Sequence, residues 1–139
     1  MLRAVSVVVL FCTLLGPFFL ASQTLFDDFS DGDFTNNPPW SGDAVLYTVN
    51  AGFELQTDDL GNANTSYLST PIVVADSVRW EFNVRMTFAP STSNYCRVFL
   101  VADNNDLTQA QNGFYVQIGS SGSTDSLEIY RLDLSLIHI

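Results

Sequence analysis

The chain has 139 residues and a formal net charge of −10, with 47 % hydrophobic, 13 % aromatic and only 14 % charged residues. That length holds one domain at most, and so apolar a composition excludes a disordered chain. All the bases are arginine (Arg3, Arg79, Arg85, Arg97, Arg131), so no basic patch for nucleic acid is expected, and one histidine with two cysteines excludes a thiolate–imidazole zinc cluster.

The first element is a leader. Arg3 supplies a short basic segment, Ala4 to Leu20 is a nearly unbroken apolar run interrupted by Gly16-Pro17, and the small residues Ala21 and Ser22 follow. Residues 1–23 therefore read as a signal peptide, cleaved near Ser22/Gln23. A spanning helix would want about 20 apolar residues without a central Gly-Pro, so no membrane span is expected after cleavage. The expected location is secreted, extracellular or at the cell surface. Cleavage removes Cys12 and leaves Cys96 alone, so the mature chain has no internal disulfide and must be held by burial.

The mature sequence, 24–133, is patterned for strands. Val45–Val49, Phe53–Gln56 and Tyr67–Thr70 are short strand candidates, separated by Asn50-Ala51-Gly52 and by Asp58 to Thr65. From Val78 to Phe88 the alternation is unbroken: Val78, Trp80, Phe82, Val84, Met86 and Phe88 share one face, and Arg79, Glu81, Asn83, Arg85 and Thr87 the other. Period two over that length is a half-buried strand. Pro90 to Asn94 turns the chain. Tyr95 to Ala102 follows, with Cys96, Val98, Leu100 and Ala102 expected inward. Gly113 to Gly119 is expected to bury Phe114, Val116 and Ile118, and Leu127 and Ile129 begin a further strand after a turn at Ser120 to Asp125. No helical periodicity appears. The expectation is an all-β antiparallel sandwich or jelly roll.

The tail breaks this pattern. Leu134 to Ile139 ends without a turn residue and is what CTG TCT CTT ATA CAC ATC encodes, which resembles sequencing-adapter read-through. Residues 134–139 are read as a non-native tail, and the sandwich as truncated there. On that reading His138 carries no chemistry.

Three stretches carry a resemblance: Phe26-Asp27-Asp28-Phe29-Ser30-Asp31-Gly32, Val78 to Phe88, and Asn112-Gly113-Phe114-Tyr115-Val116-Gln117-Ile118-Gly119. Together they resemble the N-terminal domain of large secreted multidomain bacterial proteins that often carry lamin-tail domains. That domain is similar to the concanavalin A-like (laminin G-like) jelly roll. The resemblance spans Thr24 to Asp133 and implies a lectin- or glucanase-type scaffold.

Three chemistries follow for testing. A glucanase of this fold places its carboxylates in a Glu-x-Asp-x-x-Glu strand, and no such string occurs; Glu54, Glu81 and Glu128 lie on separate strands, so no catalytic set is assigned. Asp27, Asp28, Asp31 and Asp33 cluster around a glycine, as ligands of a structural calcium do, but their spacing does not match the EF-hand loop and a solvated acidic turn is the favoured reading of the same residues. Tyr95, Arg97, Phe99, Tyr115 and Gln117, with Tyr130 beyond, fall on the second face of neighbouring strands. Rings there would stack on sugars while Arg and Gln bond hydroxyls; the alternative is a packing surface. The Asn64-Thr65-Ser66 sequon matters only in a eukaryotic secretory route.

The expected function is a non-catalytic module binding a glycan or matrix polysaccharide within a larger surface protein. A ligand-free spacer and the N-terminal fragment of a glycoside hydrolase are the alternatives. No cofactor is expected, a structural calcium on the four aspartates being the lesser alternative, and the sequence specifies no oligomeric state.

Overall fold

The computed structural model describes residues 2–8 as backbone and residues 25–59, 65–74, 77–120 and 126–134 in full. Among them the regular structure is strand, with a 3-10 turn at Ala44–Leu46, and every strand pair is antiparallel. That all-β composition is consistent with a β-sandwich. The chain divides into two compact units, Met1–Arg85 and Met86–Ile139.

In the first unit β1 (Leu2–Val8) joins β3 (Tyr47–Val49), β4 (Leu55–Thr57) and β6 (Arg79–Val84) in the order β3-β4-β1-β6, while β2 (Ser41–Gly42) pairs with β5 (Leu68–Ser69). Residues 2–8 of the expected leader form β1; the rest of it, Met1 and residues 9–23, lies outside the described residues. The β3–β4 hairpin forms where the sequence placed it, because Asn50 organises its turn. The Asn50 side-chain carbonyl accepts from the Gly52 and Glu54 amides at 2.8 and 3.2 Å, and its amide donates to Glu54 and Gln56. Leu55, at the start of β4, is almost fully buried.

β6 keeps the expected alternation. Val78, Trp80, Phe82, Val84 and Met86 are half-buried, and Arg79 through Thr87 on the odd positions are exposed. The strand stops at Val84, short of the expected Phe88, because its register with β1 runs only from Val8↔Arg79 to Leu2↔Val84. Beyond that residue it has no partner backbone among the described residues, and Phe88 is exposed.

The second unit is one sheet, β7 (Cys96–Ala102), β8 (Gly113–Ile118) and β9 (Leu127–Leu132), in that order. Cys96↔Ile118 and Val98↔Val116 put the expected apolar residues on one face, where Val98 and Val116 are buried. The inward series does not continue to Ala102. The register slips between Phe99 and Val101, so Leu100 has no counterpart and Val101 comes opposite Phe114. Phe114, expected inward, is 45 % exposed, and Tyr115, expected outward, is only 6 % exposed. The reason lies on the second face, where other side chains cover Tyr115.

Candidate functional site

That second face is built as two cross-strand rows. Arg97, Gln117 and Glu128 are register partners across the three strands, and Phe99, Tyr115 and Tyr130 are the next row along. Side chains at such directly opposed positions lie close enough to interact, which is how a sheet assembles a surface from residues distant in sequence.

The aromatic row is continuous. The Phe99 and Tyr115 ring centroids are 5.1 Å apart and tilted, and those of Tyr115 and Tyr130 are 5.0 Å apart and stacked with 16° between planes. Such offset pairs contribute about 0.5–1.5 kcal/mol beyond area burial. Tyr115 is thereby the covered centre of the row, whereas Tyr130 keeps 38 % of its surface exposed.

The polar row is ordered by Gln117. Its side-chain carbonyl accepts from Arg97 Nε at 2.9 Å, and its amide donates to the Gly119 carbonyl at 2.9 Å. Arg97 also meets two rings: its guanidinium carbon lies 4.7 Å from the Tyr95 ring centre and 4.8 Å from that of Tyr115. A cation near two rings is attracted by both quadrupoles. Tyr95 reaches this position because residue 119 is glycine. With φ at +107°, a Cβ there would approach Pro90 Cβ, the Asn94 carbonyl and Tyr95 Cβ to about 3 Å.

At the far end Glu128 accepts from the Tyr130 hydroxyl and from Ser126 Oγ. The Tyr130 bond holds the Glu128 carboxyl below its ordinary range, and the same bond raises the Tyr130 phenol above its own.

The structure therefore brings all five expected patch residues together, with different parts to play. Tyr95 and Arg97 are exposed, Phe99 and Gln117 are half-buried, and Tyr115 is buried. Gln117 gives its carbonyl to Arg97 and one N–H to the Gly119 carbonyl, so it positions Arg97 and keeps a single N–H for a ligand. Tyr130 supplies the second exposed ring. Glu128 was not singled out for this face; its place opposite Gln117 follows from the β8–β9 register, which no residue pattern in the unpaired sequence displays.

The four aspartates have another occupation. Asp27, Asp28, Asp31 and Asp33 each accept from the backbone amide two residues ahead, at Phe29, Ser30, Asp33 and Thr35. These are side-chain-closed turns. Asp27 also accepts from the Trp40 indole at 2.8 Å, and Asp33 from the Thr35 hydroxyl and the Asn36 amide. Burial pushes the Asp27 carboxyl up, while the hydrogen bonds to Asp33 hold it down at about 2. Among the described residues no group of three or more His, Cys, Asp or Glu is gathered to hold a metal ion.

The three glutamates also have structural partners. Glu54 pairs with Arg85 at 3.1 Å, Glu81 with Arg79 at 2.8 Å, and Glu128 bonds Tyr130. Cys96 is a free thiol that burial pushes up, which keeps it protonated and unreactive at neutral pH. Asn64 and residues 135–139, with His138, lie outside the described residues, as do residues 60–64 and 121–125 of the two expected turns.

No protein family, curated protein or solved structure matches this chain. No described helix is long and apolar enough to cross a membrane.

Proposed function

We propose that this chain is an exported, non-catalytic β module that binds a polysaccharide through the second face of β7-β8-β9, within a larger surface protein. One observation carries the reading: Tyr95, Arg97 and Tyr130 are exposed together on a face whose remaining members fix them in place. Two rings with a guanidinium between strands offer a sugar both an apolar platform and hydrogen-bond donors. Because Tyr115, Phe99 and Gln117 already hold these groups, little side-chain freedom remains to be lost on binding, which favours affinity.

Stacking and hydrogen bonding to one sugar unit are individually weak, so affinity for it is expected on the order of 0.1–1 mM. A polymer presenting repeated units compensates by avidity. The test is retention on insoluble polysaccharides together with a glycan array. The expected result is binding by the native chain and its loss in a folded Tyr95→Ala, Tyr130→Ala double variant. Equal retention by that variant, or no binding by the native chain, overturns the reading in favour of a ligand-free spacer.

A further inference from the structure

The described arginines divide sharply. Arg79, Arg85 and Arg131 each have a carboxylate partner, Glu81 at 2.8 Å, Glu54 at 3.1 Å and Asp133 at 2.7 Å. Arg97 has none. Its Nε is bonded to Gln117 and its guanidinium carbon lies 4.7 and 4.8 Å from the Tyr95 and Tyr115 ring centres, but its two terminal amino groups meet no acceptor among the described residues. In a chain with fifteen acids and five bases, carboxylates for pairing are abundant. A cation fixed by three contacts and unpaired among the described residues is arranged to receive an anion.

We infer that the polysaccharide bound at this face is acidic, and that Arg97 takes the carboxylate of a uronic-acid unit while Tyr130 carries the neighbouring sugar ring. The inference rests on the polysaccharide reading of the same face. The chemistry selects a carboxylate because the two terminal amino groups of a guanidinium lie in one plane at the spacing of two carboxylate oxygens. Gln117 fixes that plane through Nε, and the stacked rings keep the arginine from swinging away, so the donors are aimed before the ligand arrives. Glu128, the other charge on the face, lies two strands from Arg97, roughly 9–10 Å by strand spacing, and is bonded to Tyr130. It bounds the site on the β9 side, leaving the anion subsite at the β7 side beside Tyr95.

The net charge of −10 opposes approach of a polyanion over long distances. At about 0.15 M salt the screening length is about 8 Å, which mutes the remote acids and leaves a direct ion contact largely intact. The experiment is therefore run at that salt, with the full chain. Binding of polygalacturonate is compared with binding of the same polymer after chemical reduction of its carboxyls to neutral alcohols, by calorimetry or affinity electrophoresis. The native chain is expected to prefer the acidic polymer at least about tenfold, since a charge-assisted pair is worth that much.

Arg97→Gln is expected to bring the preference to near parity, and Arg97→Lys, which keeps the charge without the planar fork, to leave part of it. Circular dichroism and unfolding curves verify that both variants are folded. If native protein binds the two polymers equally, or if the preference survives Arg97→Gln, the acidic-ligand inference is overturned while the polysaccharide reading stands. Binding to neither polymer, nor to any polysaccharide on an array, overturns both.

Discussion

Two regions of this molecule are made from the same kinds of residue and do opposite things. The segment from Asp27 to Trp40 and the second face of β7-β8-β9 each combine aromatic rings with charged side chains. In the first, every aspartate the sequence singled out is turned back on its own backbone, and Asp27 also ties down the Trp40 indole beside Phe29. In the second, a hydrogen bond and ring contacts hold the exposed Arg97 in place but leave its terminal donors without an acceptor among the described residues. Charge density does not separate the two regions. What separates them is whether the polar groups are consumed internally, and that decides which region is a fastener and which is left able to serve as the proposed binding surface.

The comparison is broken most severely by removing the fastener's core. Phe29 is 2 % exposed and its ring centre is 6.4 Å from that of Trp40. Phe29→Ala is expected to cost about 3–5 kcal/mol, as truncation of a buried phenylalanine does. Arg97→Ala, at an exposed side chain held by ring contacts, should cost under about 1 kcal/mol. Urea unfolding of both variants measures the difference. Equal losses would mean that the aromatic face is part of the core.

A smaller effect tests the tie itself. Trp40→Phe keeps a ring against Phe29 but removes the donor to a buried carboxylate. Leaving that oxygen without its partner should cost about 1–3 kcal/mol. A variant as stable as the native chain would show that water replaces the indole.

These outcomes bear on what the sequence made legible. The alternation from Val78 to Met86 and the Asn50 hairpin could be read directly, because both are local: side-chain period in one case, a turn-forming side chain in the other. The aromatic face was legible as a set of residues, since period two in β7 and β8 puts Tyr95, Arg97, Phe99, Tyr115 and Gln117 on one side. Their ranking was not legible. Tyr115 is covered because β9 brings Tyr130 over it, and Gln117 is engaged because of where Arg97 and Gly119 fall, both consequences of register between strands. The bulge at Leu100, which sets Val101 opposite Phe114, was likewise invisible in the sequence. The aspartate run was read in two ways for a related reason: carboxylates spaced for a metal loop are also spaced for consecutive side-chain-closed turns, and composition does not distinguish them.

The finest test reads those turns by their protons. Asp33 accepts from the Thr35 amide and hydroxyl and from Asn36, and its carboxyl is held at about 2 against an ordinary 3.8. A folded value below the unfolded one means that the ionised form favours the fold. Its contribution is therefore complete above the unfolded value and is lost as pH falls through about 2. Asp27 runs the other way. Burial raises its folded value above 3.8, so the protonated form is favoured in the fold, and that contribution is present at lower pH and lost as pH rises through the folded value. Carbon-detected NMR titration of the side-chain carboxyls should accordingly find Asp33 titrating near 2 and Asp27 above 3.8. Trp40→Phe, by deleting a hydrogen bond that favours the Asp27 carboxylate, should move Asp27 further up and leave Asp33 where it is. If both groups titrate together near the ordinary value, the hydrogen bonds that close this segment do not persist in solution, and the contrast between fastener and open face is lost.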